Sequence, residues 1–268
     1  MKPLKIAVCL SGQSRTWKAA VKGTLQHFSS DHHQYFFFGH TWDENCWKTL
    51  FSGNRDYIFE KLDAVALEKD IRESIPMSGL KIDPQAGWIV NGQWCTWAPM
   101  LKSTMLANHM KTQYEIANNM MFDLVVKTRW DALYDPRMKF ESFIPLHTHP
   151  NALYCMASAD FAYEYRLPAV DDIMYFGSST AMNVIDSLYH YYTTCQLNNF
   201  VGVKFPSQVL DKTVGVGVLL YKWATRKNLL LSTGRFRTPG VIRKNVEHMN
   251  WPEDYEKMKH AYIHFEAV

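Results

Sequence analysis

The chain has 268 residues, 47% of them apolar and 21% charged, and a formal net charge of +3. That length suits one large α/β domain and is short for two, and the composition excludes a disordered or fibrous chain. No run approaches the ~18 apolar residues of a membrane-spanning helix, and the five cysteines (Cys9, Cys46, Cys95, Cys155, Cys195) are too widely spaced for a disulfide framework or a Cys-based zinc site.

In chain order, Lys5 to Leu10 (KIAVCL) is a short apolar run that predicts a buried strand. The N-terminal residues before it lack the small-residue cleavage site of a signal peptide, so a reducing cytoplasm is the expected compartment. Ser11-Gly12-Gln13-Ser14 reads as a turn that caps a helix, on which Trp17, Ala20, Val21, Leu25 and Phe28 fall at helical spacing. Tyr35 to Phe38 predicts a second strand, leaving through Gly39-His40-Thr41-Trp42-Asp43. A strand–helix–strand unit of this kind predicts a parallel sheet with its site at the C-terminal strand ends.

From Glu44 to Trp97 the pattern mixes helical fragments with turn signals and predicts irregular structure. Ala98 to Asn118 predicts a long helix, Asp123 to Thr128 a strand that ends at Arg129-Trp130-Asp131, and Ala152–Met156 and Ile173–Phe176 two more strands. Ser178 or Ser179 caps a following helix. Another helix is expected over Ser207–Thr225, with Gly215 and Gly217 against it. No linker or repeat divides the chain. Residues 1–268 therefore read as a single domain, with 1–135 as one functional half and 136–268 as the other.

Three places carry candidate chemistry. In Ser11-Gly12-Gln13-Ser14-Arg15, the glycine lets backbone approach a ligand, the helix start offers N–H groups, and Arg15 suits a phosphate. In Arg129-Trp130-Asp131, a carboxylate just past a buried strand suits a hard cation completed by substrate phosphates and water. Asp171-Asp172, read as a turn ahead of the strand 173–176, suits the orientation and deprotonation of a hydroxyl. Taken singly, each is more commonly an ordinary surface turn or ion pair than a site. Neither a G-x-G-x-x-G fingerprint nor a P-loop is present. His40 and Asp43 fall at the end of the second strand, beside the expected site, and His32, His33 and His264 lack metal-ligand spacing.

Taken together, these segments resemble the GT-A-like glycosyltransferases of viral genomes and bacterial surface-polysaccharide clusters. The residues that carry the resemblance are Ile6–Thr16, Phe38–Asp43, Met100–Ser103, Phe122–Asp131 and Asp172–Ser178, in that order. The resemblance implies a Rossmann-like, mostly parallel α/β sheet flanked by helices, with a nucleotide-sugar as donor. It places Ser11, Gly12, Gln13, Arg15, His40 and Arg129 at the donor, which makes 1–135 the donor half. It puts a divalent cation, Mn²⁺ or Mg²⁺, on Asp131, and Asp172 with its neighbour Asp171 on the acceptor side. Arg129 stands where the family's Asp-x-Asp motif has its first acid. The expected activity is metal-assisted transfer of a sugar to a hydroxyl of a glycan or lipid-linked glycan.

Two other readings compete. From Lys212 to Val246 the chain carries Lys212, Lys222, Arg226, Lys227, Arg235, Arg237, Arg243 and Lys244 without an acid. With the nine tryptophans, that stretch suits a phage-type transferase acting on hydroxymethylated DNA bases, although the modest net charge does not favour strong DNA binding. A non-catalytic nucleotide- or sugar-binding module is the third reading, and the acids at Asp131 and Asp172 speak against it.

Overall fold

The computed structural model describes residues 2–48, 57–84, 89–90, 93–94, 97–144, 149–157, 170–194, 216–233, 240–241 and 252–254. The predicted first unit is present as β1 (Lys5–Ser11), α1 (Trp17–His27) and β2 (Gln34–Trp42). The expected irregular region instead contains the hairpin β3 (Glu44–Lys48) and β4 (Tyr57–Lys61), the helix α2 (Ala64–Ser74) and the strand β5 (Met77–Asp83). The short pair β6 (Ile89–Val90) and β7 (Gln93–Trp94) follows. Asp63 caps α2, its Oδ1 accepting from the N–H groups of Val65 and Ala66 at 2.9 and 3.1 Å.

Beyond these come α3 (Trp97–Ala117), β8 (Leu124–Arg129), β9 (Ala132–Leu133), β10 (Ala152–Ala157) and β11 (Val170–Gly177). The chain continues through α4 (Ser179–Asp186), α5 (Leu188–Thr194), α6 (Val216–Arg226), β12 (Leu230–Thr233) and β13 (Gly240–Val241). Ser178 is the α4 cap, accepting from Ala181 N–H at 3.0 Å. The expected helix from Ser207 is described only from Val216, and its earlier residues lie outside the described ones.

Seven strands form one sheet in the order β12-β10-β11-β8-β1-β2-β5. β1 pairs in parallel with both β2 and β8, β2 with β5, and β10 with β12. Among these strands only β11 runs the other way, antiparallel to β8 and β10. The sheet is therefore mixed α/β and mostly parallel, as expected.

Strand periodicity splits the core in two. Ile6, Val8 and Leu10 of β1 pack with Leu124 and Val126 of β8 and with Trp17, Leu67 and Ile71 of α1 and α2. Ala7 and Cys9 point the other way, with Val125, against Leu101 and Ala107 of α3 and Met182 of α4. Helices thus cover both faces. Among the described residues, no helix is long and apolar enough to cross a membrane.

After β1 the chain builds outward through β2 to β5, then returns to lay β8 on the other side of β1. That reversal makes a topological switch point at the C-terminal ends of β1 and β8, the position where open α/β sheets commonly bind ligands.

Candidate functional site

The strand register sets three of the sequence-predicted residues in one row. Ser11 pairs with His40 on one side and with Arg129 on the other. The loop after β1 and the turn after β8 therefore leave the sheet side by side.

At that point Asp131, only 1% exposed, meets two guanidinium groups. Arg129 donates from Nε to Oδ1 at 2.8 Å and from Nη2 to Oδ2 at 3.0 Å, and Arg15 donates from Nη2 to Oδ2 at 3.2 Å. The Arg side chains keep 19% and 16% of their exposure, so the cluster is open on the guanidinium side. Within this trio two guanidinium groups share one carboxylate. Asp135, the next acid, is engaged elsewhere: Arg137 grips it at 2.8 and 2.6 Å.

Trp130 anchors the turn. Its indole is 3% exposed and Nε1 donates to the carbonyl of His40 at 2.9 Å. Gly39 makes room for it, because a Cβ there would fall 2.5 Å from Trp130 Cζ2. Tyr134 closes the turn from the other side, its hydroxyl 2.6 Å from that of Thr128.

The first loop differs from the expected cap. The N-cap of α1 is Thr16, which makes no side-chain cap bond. Gly12 has φ +99°, with nothing within 4 Å of an added Cβ, so open space lies on that side of the backbone. Its N–H is not offered to a ligand: it donates to Ser103 Oγ of α3 at 2.7 Å. Ser103 also sits 2.9 Å from His40 Nδ1 and 3.0 Å from His40 O. Ser11 Oγ lies 3.2 Å from Thr104 Oγ1. The polar pair Ser103-Thr104 was missed as a site feature. Its only signal was two adjacent hydroxyls in a helix whose neighbours are Leu101 and Met105.

His40 lies inside β2, not in a loop beyond it, and is 0% exposed. Burial pushes its imidazole down to about 4, against the smaller raising effect of Asp83, whose Oδ2 is 3.5 Å from Nε2. A neutral, buried His40 thus supports the loop through Ser103. Asp171 and Asp172 also lie within a strand, β11, and not in a turn before it. The buried Lys127 of β8 donates to the backbone carbonyl of Asp172. This joins the Asp172 backbone to β8 two residues before Arg129.

Buried polar atoms without a hydrogen-bond partner among the described residues gather at this edge: Gln13 Nε2, Ser14 Oγ, Thr41 Oγ1 and Asn45 Oδ1. Such atoms are uncommon in folded proteins and are completed by ordered water or by a bound group.

Among the described residues, no group of three or more His, Cys, Asp or Glu gathers as a metal cage. A divalent cation bound through one carboxylate needs no such cage, and Asp131 is of the right type. Both its oxygens accept guanidinium N–H bonds here, so a cation would compete with Arg15 and Arg129 for them. Of the basic stretch 212–246, Lys222, Arg226 and Lys227 are described. Arg226 lies over the Tyr191 ring and Lys227 over the Trp223 ring, at 5.3 and 4.6 Å. Lys212, Arg235, Arg237, Arg243, Lys244 and His264 lie outside the described residues. No protein-family model and no curated protein matches the chain.

Proposed function

We propose that this chain is a glycosyltransferase of GT-A-like fold that moves a sugar from a nucleoside diphosphate sugar to an acceptor hydroxyl. The observation that carries this reading is the convergence of Arg15 and Arg129 on the buried Asp131 at the switch point of the sheet. As the bond between sugar and phosphate breaks, negative charge grows on the leaving diphosphate. Guanidinium groups already oriented beside it stabilise that charge without reorganising. Arg15 and Arg129 have this role, each suited to bidentate contact with phosphate. Asp131 keeps them in place before the donor binds.

Asp131 is also the residue that would hold the Mg²⁺ or Mn²⁺ implied by the resemblance. When bound, such a cation adds positive charge against the diphosphate. On the acceptor side Asp172 is the general base that takes the proton of the attacking hydroxyl. The acceptor is a glycan or a lipid-linked glycan.

The test is incubation with UDP- and GDP-sugars plus Mn²⁺, followed by donor hydrolysis and thermal shift. Slow hydrolysis of at least one donor, lost in Asp131→Asn, is expected. Neither hydrolysis nor a thermal shift with any donor would defeat the proposal.

A further inference from the structure

β11 does not run evenly beside its neighbours. Cys155 of β10 pairs with Tyr175 and Ala157 pairs with Val170, so four residues, 171–174, stand against the single Met156. On the other side, the ladder with β8 begins only at Tyr175, which pairs with Lys127. Residues 171–174 therefore form a bulge, a device that interrupts the ladder and re-aims side chains. Because β11 runs antiparallel to β8, the bulge lies abreast of the stretch after Lys127, where Arg129-Trp130-Asp131 leaves the sheet.

Lys127 holds this bulge from inside the core. It shares a sheet face with its register partners Cys9 and Tyr175 and is 1% exposed. Its Nζ lies 5.3 Å from the centre of the Tyr175 ring and donates to the carbonyl of Asp172. Burying an ammonium carries a desolvation cost that an apolar side chain of similar volume does not. What the ammonium supplies, and an apolar side chain cannot, is a charge-assisted bond to a carbonyl inside the interrupted stretch of the ladder.

We infer that Lys127 is the positioning residue of the acceptor side, fixing the 171–174 bulge so that Asp172 stands at the sheet edge shared with Arg129 and Asp131. Lys127 acts through the Asp172 backbone and not on the substrate. The inference rests on the transferase reading above, in which Asp172 is the general base, and adds to it the residue that sets the place of that base.

A double-mutant cycle on the full chain tests it. The readout is hydrolysis of UDP- and GDP-sugars, in which water takes the place of the acceptor and gives its proton to the same base. Lys127→Met keeps the apolar stem and removes the ammonium. Burial, against the lowering effect of Lys111 and Lys127, pushes the Asp186 carboxyl up to about 8, so at neutral pH this variant leaves no bare carboxylate there. Its kcat should fall about 10- to 100-fold, the effect of a misplaced reacting group. Donor KM should not change, because Arg15, Arg129 and Asp131 keep their bonds. In Asp172→Asn, where the base is already lost, adding Lys127→Met should cost less than about twofold. Amide hydrogen exchange across 170–174 should quicken in Lys127→Met.

Equal losses in the two backgrounds, unchanged hydrolysis in Lys127→Met, or unchanged exchange across 170–174 would overturn this inference alone. Lys127→Gln, which keeps a donor without the charge, enters the same cycle if Lys127→Met does not fold. Failure of both to fold makes Lys127 a folding residue and overturns the inference too. If Asp172→Asn hydrolyses as wild type does, the base assignment falls together with this inference and the donor side stands. If wild type hydrolyses no donor, the transferase reading itself falls.

Discussion

The indole Nε1 of Trp130 donates to the backbone carbonyl of His40 at 2.9 Å, and this bond fixes the turn after β8 to the strand two places away. Space for it exists because residue 39 has no side chain. Gly39→Ala should therefore push Trp130 off its seat. A loss of roughly 1–3 kcal/mol is expected, the usual cost of overpacking a filled core. Urea denaturation measures it, and nucleotide affinity should fall in parallel because Asp131 is the next residue.

Arg15 and Arg129 should prove unequal to lysine. A guanidinium grips a carboxylate or phosphate with two parallel donors, and an ammonium does not. Arg129→Lys is expected to lose on the order of tenfold in UDP or GDP affinity although it keeps the charge. Chelation with EDTA should weaken nucleotide binding without abolishing it, since both arginines remain. Titration calorimetry with and without EDTA checks both statements.

Ser103 holds the first loop from below, accepting from Gly12 N–H at 2.7 Å. In Ser103→Ala that N–H and the His40 ring lose their partner. A loss of about 1–3 kcal/mol in stability is expected. A positioning role predicts more: the donor KM should rise while kcat falls little, because the reacting groups are untouched. Steady-state kinetics on the hydrolysed donor separates the two.

Acid should destabilise the fold before it titrates the carboxylates. Burial pushes His27 and His40 from the ordinary 6.5 down to about 4. In the folded chain each binds fewer protons than in the unfolded chain between those values. Their stabilising contribution is therefore present above pH 6.5 and is lost as pH falls through about 4. It amounts to roughly 3 kcal/mol each at most. His27→Phe, which preserves the ring stacked on Tyr134, should flatten the acid limb of a urea-midpoint profile.

Asp186 acts with the opposite sign. Burial pushes its carboxyl from 3.8 up to about 8, partly offset by Lys111 and Lys127. The stability linked to its proton is present at low pH and is lost as pH rises through about 8. Asp186→Asn should gain on wild type in the same denaturation assay near pH 8.5.

Much of the sheet around β1 and β8 is legible in the sequence because its signals are local. The runs Ile6–Leu10 and Leu124–Val126 are buried on both faces and read as continuous apolar strands. The Arg129-Trp130-Asp131 turn followed from where the second run ends. β2 reads short in the sequence because Gly39-His40-Thr41 resembles a turn, and the packing of Trp130 and Ser103 explains why those residues sit in a strand. β5 has no sequence signal because Met77–Asp83 is an edge strand without a fully buried position, so no alternation stands out. The bond between Arg15 and Asp131 spans 116 residues and has no local signature. Ser14 and Asn45 stand out only once burial is known, since nothing in sequence separates an orphaned hydroxyl or amide from a solvated one.

The most direct measurement is hydrolysis of UDP- and GDP-sugars by wild type and Asp131→Asn, a shape-preserving change at the centre of the Arg15–Asp131–Arg129 cluster. The predicted result is slow hydrolysis of one donor by wild type and a loss on the order of 100-fold in the variant, with the fold intact by circular dichroism. Equal rates in the two proteins, or no hydrolysis of any donor by wild type, would contradict the account.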